Sequence, residues 1–242
     1  MSASVPPADP GVATLVEEPA DRALVAVSTF SRLAGSVIAL GFLLGLVPGQ
    51  LAVVVGAVAL VTFGRSLAPG TVRTYLGPAA FGVIALAATV GALRWGSSSL
   101  DAIRGAQAVL GPTVLIDPRE AAIGSGLAAG AGIVAQSLWL SAHRPGGVVS
   151  FVSSCAEAVI VALLLATAFW GPAVVAPGAG DAAELAKDVG AWALVVLAAS
   201  VPAVGLSFLW RRFSAVWSWV ALLVAVSAAL AGTVLVPSFV AS

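Results

Sequence analysis

The chain alternates between long apolar runs and short polar connections, and it keeps this pattern from residue 23 almost to its end. A helix needs about 20 predominantly apolar residues to cross a bilayer, and most of these runs approach or exceed that length. The pattern predicts seven membrane spans, which are approximately Ala23 to Val47, Gln50 to Gly64, Tyr75 to Arg94, Arg119 to Ala142, Gly147 to Gly171, Asp188 to Trp210 and Ser214 to Pro237.

These runs lack the alternation of apolar and polar residues that is typical of a membrane barrel strand. Inside lipid, every backbone N–H and C=O must be satisfied within the protein, and an apolar helix does this by itself. The sequence therefore predicts an all-α fold, a polytopic integral membrane helix bundle of about seven transmembrane helices.

The first two predicted spans are joined only by Pro48 and Gly49, and the second is short for a full crossing at about 15 residues. The alternative is a bundle of five spans plus a short hairpin. Both counts are odd, so both place the two ends of the chain on opposite faces of the membrane.

Residues 1–22 differ from the rest of the chain because they combine four prolines with four acidic residues. Such a segment cannot bury a core, and it is predicted to be a disordered or interfacial cytoplasmic tail. Residues 23–242 then form a single transmembrane domain.

The longest connection, between the third and fourth spans, contains a short amphipathic pattern near residues 99–110. Ser98 or Ser99 can cap a helix there, with Leu100, Ile103 and Leu110 on one side. This pattern predicts an interfacial helix on the outer membrane surface, and a lid over a pathway is the alternative.

Composition agrees with this class, since 60% of the residues are hydrophobic, 9% are charged, and the mean hydropathy is +1.08. The net charge is zero and the aromatic residues do not alternate with basic ones, so no nucleic-acid partner is expected. With one histidine, His143, and one cysteine, Cys155, the chain offers no set of ligands for a metal or a cofactor, and none is expected.

Basic residues without acidic ones occupy three connections on one side of the predicted bundle: Arg65 and Arg73, His143 and Arg144, and Arg211 and Arg212. By the positive-inside rule these connections face the cytoplasm, which places the N-terminus inside and the C-terminus outside. Arginine outnumbers lysine ten to one among many Ala, Val, Gly and Leu residues, a bias typical of GC-rich bacterial genomes. We therefore expect a multi-pass protein of the bacterial cytoplasmic (inner) membrane.

Two charged residues lie within the apolar runs, Arg32 and Glu157. Each lies about ten residues into a span that starts on the cytoplasmic side, so both are predicted on the order of 15 Å deep. An unpaired charge is costly at that depth, so we expect the two side chains to face the protein interior and to pair. Gln136, on the fourth span, is predicted to join them with Ser153, Ser154 and Thr29.

This pair has two interpretations. It forms a proton or ion site, or it is a structural ion pair that fixes helix register, and we favour the structural interpretation. A third arrangement follows if the first span begins near Leu33, because Arg32 then lies at the headgroups and Glu157 is satisfied in another way.

Three further features concern helix packing and anchoring. Gly126 and Gly130 have the spacing that lets helix backbones approach closely, either within this chain or against a partner subunit. Pro202 is expected to kink the sixth span. An aromatic and basic cluster is predicted to anchor the bundle among membrane lipids, and it comprises Trp210, Arg211, Arg212, Trp217 and Trp219.

These features favour a non-enzymatic membrane protein, either permease-like or a membrane subunit of a larger transport or envelope complex, with other subunits or a homo-oligomer as possible partners. The alternative is a proton- or ion-coupled carrier built around Glu157 and Arg32. A lipid-modifying membrane enzyme is the third hypothesis, with Asp101, Asp117 and Glu120 as its candidate acids.

Overall fold

The computed structural model describes residues 19–67, 75–110, 119–142, 148–169 and 182–236. In these residues the chain forms eight helices: α1 Pro19–Leu43, α2 Leu51–Ser66, α3 Leu76–Arg94, α4 Leu100–Leu110, α5 Arg119–Ser141, α6 Val148–Phe169, α7 Ala182–Arg212 and α8 Ala215–Leu235. Five of them, α1, α3, α5, α6 and α8, are long and apolar enough to cross a membrane. The predicted all-α membrane bundle is confirmed.

The helix positions follow the predicted spans, and the largest differences are at the ends of α1 and at the start of α7. Helix α1 begins at Pro19, inside the predicted tail, of which residues 1–18 lie outside the described residues. It ends at Leu43 because the chain turns at Gly45, whose φ of +73° is a conformation that glycine adopts without strain. Helix α7 begins at Ala182, six residues before the predicted start of its span.

Helices α5 and α6 form the centre of the bundle. Helix α5 contacts α3, α6, α7 and α8, and α6 also contacts α1, α2 and α4. Their apolar segments are largely buried, at 61% and 67%, whereas those of α1 and α8 are only 17% and 28% buried. Fully buried residues such as Ile84, Leu138 and Leu164 fill the core between α3, α5 and α6. Helices α1 and α8 therefore lie at the periphery and present broad apolar faces.

Helices α1 and α2 form an antiparallel hairpin that packs closely through glycines. A Cβ atom at Gly35 would lie 2.5 Å from the carbonyl oxygen of Ala57, and one at Gly64 would lie 2.7 Å from that of Ser28. The Ser28 hydroxyl also donates to the carbonyl oxygen of Gly64 at 2.6 Å. At 16 residues α2 is the shorter member of the pair, as the sequence predicts.

Helix α4 is attached to the turn of this hairpin. Leu51 donates its N–H to the carbonyl oxygen of Ser98 at 2.8 Å, and Leu100 donates to that of Gly49 at 3.0 Å. Ser99 caps α4, since its hydroxyl accepts the N–H of Ala102 at 3.4 Å. The start of α4, the end of α3 and the α1–α2 turn therefore lie at the same end of the bundle.

Candidate functional site

The carboxylate of Glu157 is held by two arginines from two different helices. Arg32 of α1 donates from Nε to Oε1 at 2.6 Å, and Arg65 of α2 donates from Nη1 to Oε2 at 2.6 Å. Ser153, one turn earlier on α6, donates to Oε1 at 3.2 Å and accepts Nη2 of Arg32 at 2.8 Å. Glu157 is 2% exposed, so these contacts take the place of solvent. We call Arg32, Arg65 and Glu157 the charge triad.

Helix directions explain how these side chains meet. Side chains on a helix tilt toward its N-terminus. Helices α1 and α6 start at the end of the bundle where α2 ends. The side chains of Arg32 and Glu157 therefore point toward this end of the bundle, and the Arg65 side chain points away from it, so the three side chains meet. Gly64 leaves room for Arg32, because a Cβ atom there would lie 2.8 Å from the Cγ of Arg32.

Arg65 is the member of the triad that the sequence analysis missed. The predicted second span ends at Gly64, which places Arg65 in a connection facing the cytoplasm. Helix α2 instead continues to Ser66, and the Arg65 side chain is 5% exposed. The signal was helical spacing: Val54, Val58 and Val61 are buried on one face of α2, and Arg65 follows at the next position of that face.

Trp139 of α5 packs against the guanidinium group of Arg65. The guanidinium carbon of Arg65 lies 4.2 Å from the centre of the Trp139 ring, a cation–π geometry. The indole N–H of Trp139 donates to the Thr62 hydroxyl at 3.0 Å, and Thr62 donates to the carbonyl oxygen of Val58 at 2.9 Å. Arg65 is thereby fixed between α5 and α6.

The other residues predicted to join this cluster take different positions. Gln136 is fully buried, and it donates from Nε2 to the carbonyl oxygen of Ala158 at 2.7 Å. It is therefore adjacent to Glu157 along α6, with no hydrogen bond from its side chain to the carboxylate in the described residues. Thr29 is exposed and donates to the carbonyl oxygen of Val25 on its own helix. The Ser154 hydroxyl is buried without a hydrogen-bond partner in the described part of the chain.

Among the described side chains, positive charge exceeds negative charge at this carboxylate. The triad contains two guanidinium groups and one carboxylate, and Arg211 of α7 is close enough to Arg65 for the two charges to interact. Arg211 donates to the carbonyl oxygen of Leu140 at 3.3 Å, beside Trp139 on α5. Within the described residues, Nη2 of Arg65 is buried and has no hydrogen-bond partner.

A second polar cluster lies at the opposite end, where α4 meets the hairpin turn. Arg104 donates from Nη2 to the carbonyl oxygens of Phe42 and Leu43 at 2.7 and 2.8 Å, so it satisfies backbone groups at the end of α1. Its Nη1 pairs with Asp101 at 3.1 Å. Asp117 lies outside the described residues, as does the side chain of Glu120.

The glycines of α5 that contact other helices are not those predicted. Cβ atoms at Gly126 and Gly130 would meet no described atom within 4 Å. Gly124 approaches Gly232 of α8, and a Cβ atom at Gly132 would lie 2.8 Å from Leu165 of α6. Close packing within the described chain therefore uses Gly124 and Gly132, and a partner at Gly126 and Gly130 stays a prediction.

The remaining predicted residues lie on α7 and α8. Helix α7 continues through Pro202, which is exposed. Trp210 is half-buried and donates from its indole N–H to the Ser137 hydroxyl at 2.8 Å. Three more of the predicted anchor residues are exposed: Arg212, Trp217 and Trp219. Among the described residues, no three His, Cys, Asp or Glu side chains form a group that could hold a metal ion.

Comparison of this chain with protein-family models, with curated proteins and with solved structures finds no match.

Proposed function

We propose that this protein is a non-enzymatic multi-pass protein of the bacterial cytoplasmic membrane, either permease-like or a membrane subunit of a larger transport or envelope complex. The observation that carries this proposal is that both acidic side chains described by the structure are paired with arginine. Glu157 is held by two arginines and a serine, and Asp101 is paired with Arg104. Glu157 is therefore not free to act as a general acid or base, while Asp101 is occupied by an exposed ion pair with Arg104.

The charge triad supports a structural role for these ions. Protonation of Glu157 would leave two guanidinium groups without their counter-charge, which opposes its use as a proton carrier. Three helices meet at this one carboxylate, so it joins the α1–α2 hairpin to the centre of the bundle.

The proposed orientation is N-terminus inside and C-terminus outside. Arg65 and Arg211 lie at the same end of the bundle, beside Trp139 and Leu140, which supports placing the basic connections on one face. Labelling with a membrane-impermeant thiol reagent tests this orientation in a chain that carries Cys155→Ala. Ser98→Cys is expected to react in intact cells, whereas Ser214→Cys, on the opposite face, reacts only after permeabilisation. The reverse pattern would contradict the orientation.

Purification from native membranes in a mild detergent tests the function. A partner recovered in fixed ratio to this chain supports the subunit form of the proposal, and recovery of the chain alone supports the permease-like form. Phospholipid turnover by the purified chain that Asp101→Asn abolishes would contradict a non-enzymatic role and favour the enzyme hypothesis.

The carrier built on Glu157, Arg32 and Gln136 is the second candidate. It is favoured by two buried polar atoms without hydrogen-bond partners in the described residues, Nη2 of Arg65 and Oε1 of Gln136. In proteoliposomes, Glu157→Gln is expected to abolish pH-dependent ion uptake if the protein is such a carrier. Asp101→Asn is the matched control, and equal uptake by folded Glu157→Gln protein and wild type would exclude the carrier.

A further inference from the structure

The α1–α2 hairpin is held to the rest of the bundle at both of its ends, but by different kinds of contact. At one end the charge triad joins it to α6 through the buried carboxylate of Glu157. Breaking that contact leaves buried charges without partners, which is strongly unfavourable. At the other end α4 holds the hairpin turn through Arg104 and backbone hydrogen bonds, next to the exposed carboxylate of Asp101. Groups at that end have water nearby as an alternative partner.

Two backbone hydrogen bonds connect the start of α4 to the start of α2. The N–H of Leu51 donates to the carbonyl oxygen of Ser98, and the N–H of Leu100 donates to that of Gly49. Both donors lie in the first turn of a helix, where an N–H has no partner within that helix. Both N–H groups therefore lose their partner when the two segments separate, and water can then take its place.

Arg104 strengthens the contact between α4 and the hairpin turn. It donates to the carbonyl oxygens of Phe42 and Leu43 at the end of α1, where helical carbonyls lack partners within the helix. Hydrogen bonds from a charged donor are stronger than those between neutral groups. Leu100 and Ile103 of α4 are fully buried in the apolar core, so they also favour the closed contact.

Close packing joins α1 to α2 without any contribution from α4. A Cβ atom at Gly35 or at Gly64 would overlap a carbonyl oxygen of the other helix. The Ser28 hydroxyl also donates to the carbonyl oxygen of Gly64, close to the charge triad. Separation of α4 from the turn therefore leaves the hairpin itself intact.

We propose that α4 is a latch on the α1–α2 hairpin. When Arg104 releases the carbonyl oxygens at the end of α1, the hairpin turn separates from α4 in one step. The charge triad keeps the opposite end of the hairpin joined to α6. The closed form predominates because the apolar side chains of α4 are buried in it. The proposal does not depend on whether the protein is a subunit or a permease.

Residue-resolved amide hydrogen exchange of the full chain in an uncharged detergent tests the latch. A single separation step requires that the amides of Leu51 and Leu100 open with the same equilibrium constant. Val58 lies about two turns farther along the same face of α2, toward the charge triad, and its amide is expected to stay protected. Unequal constants for the first two amides, or an equal constant for Val58, would overturn the proposal.

Arg104→Gln is the variant that tests the arginine. It is expected to raise the opening constants of Leu51 and Leu100 by about tenfold or more, because charged hydrogen bonds to the end of α1 are lost. Exchange at Val58 should not change. Arg212→Gln makes the same substitution at an exposed arginine of the opposite end and should leave all three amides unchanged.

Two results with the arginine variant would overturn the proposal. A rise at Val58 as large as the rise at Leu51 would show a general loss of stability instead of a local opening. No rise at Leu51 and Leu100 would show that Arg104 does not hold the turn.

A disulfide across the latch provides a second test if the arginine variant does not fold. Gln50 and Ser99 form an isolated antiparallel bridge between the two segments, and side chains at such opposite positions are close enough to be cross-linked. In a chain that carries Cys155→Ala, oxidation of Gln50→Cys with Ser99→Cys should slow exchange at Leu51 and Leu100, and a reducing agent should restore it. Equal exchange in the cross-linked and reduced forms would overturn the proposal.

Discussion

Arg65 and Glu157 lie on different helices, 92 positions apart in sequence, and their side chains meet at 2.6 Å in the interior of the bundle. Arg32 takes the other carboxylate oxygen. One acidic side chain thus joins three helices, and its removal affects all of them.

Glu157→Gln is expected to destabilise the protein by about 3–5 kcal/mol, because it leaves two arginines without their counter-charge. Asp101→Asn, the same change at an ion pair in which Asp101 is 54% exposed, should cost less than about 1 kcal/mol. Unfolding in detergent, followed by circular dichroism, measures both. Similar losses in the two variants would show that the triad contributes no more than a surface pair.

Exchange of charges tests whether Arg65 belongs to the triad. In Arg32→Glu with Glu157→Arg, the new arginine at 157 faces Arg65, so the pair of changes should recover only part of the stability that each single change removes. Adding Arg65→Glu reverses all three charges and should recover more. The thermal midpoints of the purified single, double and triple variants measure this recovery of stability. Full recovery by the double variant would place Arg65 outside the charge triad.

The sequence predicts the helices and the meeting of Arg32 with Glu157 because both depend on local length and on the cost of unpaired charge in lipid. Arg65 was missed for a local reason as well. A basic residue after a short apolar run resembles the end of a span, and the predicted span ended at Gly64, two residues before α2 ends at Ser66. Helix periodicity places Arg65 on the buried face of α2, but its contact with Trp139, which lies 74 residues away in sequence, cannot be read from that periodicity.

Glycine packing shows a different limit of the sequence. Helix α5 has glycines on several faces, and the spacing of Gly126 and Gly130 matches a known packing motif. The positions of α8 and α6 decide which face of α5 is packed, and these two helices contact α5 at Gly124 and Gly132. Spacing within one helix carries no information about that choice.

Gly45→Ala is expected to cost more than Gly96→Ala. Both glycines have positive φ, +73° and +62°, so an alanine strains each backbone by about 1 kcal/mol. At Gly45 the new Cβ would also lie 3.3 Å from Nη1 of Arg104, whereas at Gly96 it meets no described atom within 4 Å. Displacement of Arg104 weakens its bonds to the carbonyls of Phe42 and Leu43, so hydrogen exchange at the hairpin turn should rise only in Gly45→Ala. Equal exchange in the two variants would show that Arg104 adjusts without loss.

Substitutions of Gly232 and Gly126 by alanine are expected to change stability in opposite directions. A Cβ atom at Gly232 would lie 2.8 Å from the carbonyl oxygen of Gly124 and 3.0 Å from the Cβ of Ala128, so α8 must move away from α5 and packing is lost. At Gly126 the same Cβ meets no described atom, and alanine is the better helix former by about 1 kcal/mol. Gly232→Ala should therefore lower the thermal midpoint in detergent, and Gly126→Ala should leave it unchanged or raise it. A loss of stability in Gly126→Ala that appears only in native membranes would indicate a partner helix on that face, whereas a loss of stability in detergent as well would show that this face packs within the chain.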